Sequence, residues 1–445
     1  MKIFSYRYLP LNIYVGYSGF VLLSLIAGPI KYKDLNYSVL ASFLFGLVFL
    51  FVLGYFFGAR GDYRKFSIYD RSISYQRIIR IFQILLIFGV FSSIVQWVSF
   101  FISGGELSLS DIGGNYVKGY DGYERGQAVV DFIYVANIFS QAVVALVLLF
   151  SFYYFKVMGG LAKISFLFVL ATYLLINVVG TGKQKYLGDF VVFSTFCMLI
   201  NFASEGRRFR LRTLGVAVAA LCVVFLLFIE ILRQRYLAAG IGLDNIYEKV
   251  HPLISWDESS IVFGLIGSDY ALALGIFLGY FSNGLYGLYL SLTLPFEWSY
   301  FVGNSYSLGR IVEIFLSSDG FILENTYPYR VGETYGWGFD KWHSMFAWLA
   351  SDITFVGVLL LSPLFAFVYA RLWLQAIKAT NPFSGPLFIY LSLGLVFSYA
   401  NNQIMHGLSG VIVLMTLVGG WLFSRNLPCI KLLECERSRC CEVIE

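Results

Sequence analysis

Charge is what this chain lacks most. Of its 445 residues only 13% are Asp, Glu, Lys or Arg, against 58% hydrophobic residues and a mean hydropathy of +0.73. One soluble core cannot absorb that much apolar surface, and the apolar residues come in runs near twenty, the length that crosses a hydrocarbon layer of ~30 Å. The chain therefore reads as an all-α, polytopic integral membrane protein. Cysteine is also scarce: Cys197 and Cys222 fall inside apolar runs, and Cys429, Cys435, Cys440 and Cys441 fall in the C-terminal tail. None lies in a segment assigned outside, which excludes an external disulfide framework. The tail "CIKLLECERSRCC" has neither paired CxxC spacing nor a histidine, so it reads as a reduced cytoplasmic tail and no metal site is predicted. The net charge of +5 comes from basic residues at the ends of apolar runs, not from one basic domain, so no nucleic-acid partner is implied. No internal repeat is visible.

What is present is a succession of ten predicted spans: Leu11–Pro29, Ser38–Phe57, Ile79–Ile102, Ala128–Ser151, Ile164–Val179, Leu187–Ala203, Thr213–Leu232, Ser344–Ala370, Pro386–Tyr399 and Leu408–Phe423. Lys2, Arg7 and the run after them imitate a signal peptide, but no small-residue cleavage pattern follows, so that run is the first span. With both termini inside, the inner segments hold 20 of the 32 basic residues and the outer ones 12, as the positive-inside rule requires. The chain divides into a seven-span bundle (1–232), a large outer loop (233–343), a three-span bundle (344–424) and the tail (425–445). The loop has six basic and eleven acidic residues between Arg233 and Lys341. Within it, Ile261–Leu292 is apolar. It is too short for two crossings, and one crossing would break the parity of the ends, so re-entrant or interfacial helices are expected there.

Three polar clusters fall on the outer side, where ionisable groups at membrane depth mark a pathway or a bound partner. "GTGKQKYLGDF" puts Lys183 and Lys185 in a glycine turn; Lys185 and Asp189, four apart, could also pair along the helix. "IEILRQRYL" ends the seventh span with Arg233 and Arg235, whose planar guanidinium groups suit phosphate oxygens, or which simply snorkel at a helix C-terminus. His343 stands at the lip of the eighth span, after Arg330, Glu333, Asp340 and Lys341. A neutral imidazole there can take a proton, with Glu333 as the next candidate base, or it can cap the helix. His343 and Asp352 are nine residues apart, on opposite faces of a regular helix, and are not expected to pair. The loop is rich in aromatic rings, Trp337 and Trp342 among them, that can pack on sugar faces or form an interfacial belt.

"LGYFSNGLYGLYLSLTLPFEWSYFVGNS" followed by "YPYRVGETYGWGFDKWHSMFAWLASDITFVGVL" resembles the outer loop of bacterial O-antigen polymerases, the oligosaccharide repeat-unit polymerases of Gram-negative surface polysaccharides. The span count and the "GTGKQKYL" turn extend the likeness. The related O-antigen ligases carry His, then Asn, Ser or Gln, nine residues, Gly, two residues, Gly, then Thr or Val. Here His343, Ser344, Gly357 and Val358 keep that pattern, while Thr354 replaces its first glycine. The resemblance implies a GT-C-like membrane glycosyltransferase of the bacterial inner membrane, with both termini cytoplasmic and the active site periplasmic. It would join undecaprenyl-pyrophosphate-linked oligosaccharides by inverting transfer, without a cofactor. Lys183, Lys185, Arg233 and Arg235 would bind pyrophosphate, and Arg310, Arg330, Trp337 and Trp342 the sugar. A chain-length regulator and a flippase would share the membrane. The rival expectations are a ligase acting on the lipid A core and a flippase, though a flippase would show repeated halves and short loops.

Overall fold

Every one of the ten predicted spans coincides with a helix, because a backbone in hydrocarbon must satisfy its polar groups within its own segment. The structure, a computed structural model, describes residues 6–60, 71–108, 111–124, 132–205, 211–242, 246, 251–257, 259–260, 268–318 and 320–424. The tail with its four cysteines, the first residues of the span predicted from Ala128, and residues 261–267 of the apolar loop segment lie outside these. The helices at the predicted spans are α1 Leu9–Ala27, α2 Tyr37–Ala59, α3 Arg71–Ile102, α5 Phe132–Tyr154, α6 Gly160–Leu174, α7 Lys185–Glu205, α8 Leu211–Ala238, α12 Met345–Lys378, α13 Ser384–Phe397 and α14 Leu408–Phe423. Among the described residues four further α-helices run between them: α4 Ile112–Glu124, α9 Ser268–Leu292, α10 Tyr306–Leu316 and α11 Tyr327–Tyr335. Among the described residues eight helices are long and apolar enough to cross a membrane, α9 among them, while α13 and α14 are shorter.

The apolar loop segment differs from expectation. Its described part is one continuous 25-residue helix, α9, about 37 Å long at 1.5 Å per residue, and not a set of broken helices. It runs beside the connection from α1 to α2. Gly275 faces Pro29 and Gly279 faces Ile30, Tyr32 bonds Ser282 and Asn283, and the Tyr286 and Tyr289 hydroxyls donate to the carbonyls of Lys33 and Asp34. A short antiparallel sheet joins the same two regions, β1 Ile30–Tyr32 pairing with β2 Ile254–Trp256, Ile30 opposite Trp256. The long loop is thus fastened to the end of the bundle where α1 gives way to α2. This is the loop end of the bundle.

The tightest helix pair is α2 with α12. A Cβ built on Gly54 would fall 2.1 Å from the Pro363 carbonyl oxygen, and one on Gly58 would fall 2.5 Å from that of Phe367. These two glycines, four apart, let the backbones touch, as small residues do where lipid supplies no hydrophobic drive between helices. α12 also breaks. Thr354 has φ +66° and ψ 165°, a region that belongs almost wholly to glycine. Its Oγ1 accepts from Gly357 N at 3.1 Å, so it caps a second helix that begins inside the span.

Candidate functional site

α6 ends in one widened turn of π geometry, Leu175–Gly180, a feature frequent at functional sites. The turn that follows needs its glycine: Gly182 has φ +63°, and a Cβ there would come within 2.7 Å of the Ile112 carbonyl. α4, a helix that the apolar runs did not announce, closes over this turn, with Asn115 Nδ2 donating to Val179 O at 3.2 Å. Beneath it, Lys183 and Lys185 keep exposed ammonium-bearing side chains. Among the described residues neither forms an ion pair. Burial of the surrounding recess, then repulsion from Lys185, lowers Lys183 from its ordinary 10.5. The pairing of Lys185 with Asp189 along the helix does not form: Lys185 Nζ lies over the Tyr186 ring at 5.4 Å, and Asp189 Oδ2 instead accepts from the Tyr173 hydroxyl at 3.1 Å.

The two arginines part company. Positions two apart on a helix differ by ~200°, so they cannot serve one site. Arg233 points away and forms a two-pronged pair with Glu230 at 2.9 and 2.8 Å. Arg235 points inward. Its guanidinium lies 3.4 Å from the centre of the Tyr116 ring, donates to Gln184 Oε1 and comes close to the Tyr280 hydroxyl, while its Nε is buried without a partner. The cationic site is therefore Lys183, Lys185 and Arg235, roofed by α4. Arg233, expected beside Arg235 at one phosphate, instead pairs with Glu230.

His343 lies deeper than a helix lip suggests, with 1% of its surface exposed. Its Nε2 is 3.1 Å from Trp337 O and 3.0 Å from Gly338 O. Carbonyls only accept, so Nε2 carries the hydrogen and Nδ1 the lone pair. Nδ1 is buried without a partner, facing the α9 backbone, since a Cβ on Gly287 would sit 3.0 Å from it. Burial pushes the ring down to about 4, so it is neutral at physiological pH, but the nitrogen that could take a proton is walled in. In this geometry His343 ties the 337–343 segment to α9.

Asp352, as expected, does not meet His343. Its carboxylate gathers the 299–304 loop, accepting from Ser299 Oγ at 2.6 Å, Gly303 N at 3.1 Å and Asn304 N at 2.8 Å. Arg330 is committed to Glu297 at 2.8 Å and to Pro295 O, Arg310 to the buried Glu313 at 3.1 Å, and Glu333 stands exposed on α11. Trp337 is buried, its Nε1 donating to Trp342 O, so it is a core ring. Trp342 packs 5.1 Å from Tyr280, and Tyr280 in turn meets Arg235. Of the residues expected to bind sugar, Trp342 alone is linked in this way to the cationic site.

Residues that the sequence reading passed over complete the arrangement. The polar run "ANNQIMHG" between α13 and α14 carries His406. Burial first, and then the charge of Lys185, lowers His406 to about 4. Its Nδ1 has no partner, and its ring packs between Tyr306 at 5.6 Å and Trp348 at 5.3 Å. Around it, Asn304 Oδ1, Trp348 Nε1 and Asn402 Oδ1 are likewise buried without partners. The available signal was a run of amides and a histidine between two apolar segments, at a depth where such residues are costly. Comparison with known proteins adds no relative: no family model, no curated protein and no solved structure matches this chain.

Proposed function

We propose that this protein is a membrane glycosyltransferase that polymerises undecaprenyl-pyrophosphate-linked oligosaccharide repeat units. The observation that carries the reading is the meeting of Lys183, Lys185 and Arg235 in one recess at the loop end, with no carboxylate in an ion pair with any of them among the described residues. Three uncompensated cations suit a pyrophosphate, Arg235 as a planar fork and the lysines as point charges. The resemblance of the loop to O-antigen polymerases supplies the substrate class. With it come the finer expectations: a GT-C-like architecture, a periplasmic site in the inner membrane, cytoplasmic termini, and a flippase and a chain-length regulator as neighbours.

In this reading the acceptor hydroxyl attacks the anomeric carbon of the donor glycan from the face opposite the pyrophosphate. The new glycosidic C–O bond forms as the bond to phosphate breaks, and the electron pair leaves with the pyrophosphate, whose growing charge the three cations meet. The hydroxyl proton goes to His406. His406 replaces His343 as the base because its imidazole stands beside Lys185. Pyrophosphate bound at Lys185 offsets one of the two causes that weaken this imidazole as a base.

The test uses purified protein in nanodiscs with the lipid-linked repeat unit as sole substrate, read as a ladder on a gel. Arg235→Ala should slow polymerisation roughly 10- to 100-fold, the value of one or two lost charge-assisted contacts, and His406→Ala roughly 10²- to 10⁴-fold. Arg233→Ala should stay near wild type. Full activity in Arg235→Ala and His406→Ala, at normal folding, refutes the assignment. A ligase is the second reading, favoured by one observation: Thr354, in the place of the motif's first glycine, holds a glycine-like backbone. A ligase would make no ladder and would need a lipid A core acceptor.

A further inference from the structure

Beneath the lysine turn, α3, α5, α6, α7, α13, α14 and the segment before α14 line a partly open cavity of about 90 Å³. Its walls carry Gln96, Gln141, Tyr173, Asp189, Tyr390 and Gln403, with Lys185 at one side. Such a wall is out of place in a membrane bundle that packs on apolar contacts alone. Gln96 Oε1 is buried with no hydrogen-bond partner, and the Asp189 carboxylate and Gln403, which face each other across the wall, leave Asp189 Oδ1 and Gln403 Nε2 without a bond of full hydrogen-bond geometry. Gln96 is 8% exposed and Asp189 4%. A buried polar atom without a full partner is costly, so the cavity is built for an occupant that offers both donors and acceptors.

The chemistry of the wall narrows the class. Lys185 repels a cation, Asp189 repels an anion, and an apolar group would leave Gln96 Oε1 unsatisfied and face the Asp189–Gln403 pair with nothing to offer it. A neutral molecule with several hydroxyl groups fits: its O–H groups donate to Asp189 Oδ1 and Gln96 Oε1, its oxygens accept from Gln403 Nε2, and the rings of Tyr173, Tyr186 and Tyr390 can pack on its C–H faces. At about 10–15 Å³ of such space per water, 90 Å³ holds roughly six to nine waters, close to the room taken by one pyranose ring. Lys185 lines the cavity and also belongs to the cationic recess, so a sugar here lies next to a phosphate there.

We propose that this cavity is a subsite for one uncharged sugar residue, and that Asp189 and Gln96 orient it through its hydroxyl groups. The proposal deepens the polymerase reading and rests on it for the sugar's place in the reaction, but sugar binding can be measured without turnover. Purified protein in nanodiscs, free of sugar-headed detergent, is titrated with the methyl glycosides of glucose, galactose, mannose, rhamnose and N-acetylglucosamine and followed by saturation-transfer NMR. At least one glycoside should bind, and binding should fall at least ten-fold in Asp189→Asn and in Gln96→Leu. The isosteric Asp189→Asn guards against loss through misfolding. In the ladder assay the same variants should raise KM for the lipid-linked unit about ten-fold with kcat changed much less. If no glycoside binds the wild type, or if both variants bind it unchanged, the cavity holds water only and the proposal falls. Glycoside binding lost in the variants of a protein that forms no ladder would sink the polymerase reading and leave the subsite standing.

Discussion

His343→Gln isolates a burial effect that can be worked out in advance. The wild-type ring is 1% exposed and is held at about 4 against an ordinary 6.5. Between those values the unfolded chain takes up a proton that the folded protein refuses, so stability is fully present above pH 6.5 and is lost as pH falls from 6.5 toward 4. At 1.36 kcal/mol per pH unit the loss approaches about 3 kcal/mol. Glutamine keeps an N–H near the position of Nε2, facing the carbonyls of Trp337 and Gly338, but does not titrate. The assay is the thermal midpoint in nanodiscs from pH 7.5 to 4. His406 and the carboxylates titrate in both proteins, so the difference between them reports His343. Wild type should weaken relative to His343→Gln across that window, the gap opening below pH 6.5. Parallel curves would mean that Nδ1 reaches water in the folded protein, and the walled-in geometry against Gly287 would be wrong.

Three further outcomes follow from the packing and the order of the segments. Gly54→Ala should destabilise by about 1–3 kcal/mol, because its Cβ meets the Pro363 backbone, while Gly46→Ala, whose nearest neighbour is a Leu359 methyl at 3.6 Å, should be tolerated; equal thermal midpoints would contradict the contact. Thr354→Val should lower the midpoint through loss of the cap on Gly357, worth about 1 kcal/mol, whereas Thr354→Gly should hold it or raise it by easing the positive φ; a Val variant as stable as wild type would remove the cap. Thr334→Cys, exposed on α11, should react with an impermeant thiol reagent in intact spheroplasts of a strain otherwise lacking cysteines in this protein; labelling only after lysis would invert the orientation.

The helical runs were legible because a span in hydrocarbon must be apolar and about twenty residues long, and that constraint is written locally. The positions of α1, α2 and α12 and the cationic turn at Lys183 could be read in this way, as could the unlikelihood of a His343–Asp352 pair. The rest depends on distant segments. Arg233 and Arg235 look alike in sequence, and only the direction each takes from α8 sends one to Glu230 and the other under α4 to Gln184. His343 looked like an open helix lip until α9, more than fifty residues earlier, closed on its Nδ1 through Gly287. His406 and Asp189 gain meaning only because α7 and the α13–α14 connection meet, and the cavity between them belongs to no single element. Hydrophobic periodicity reports which face of a helix is buried, and long-range packing decides what that face is buried against.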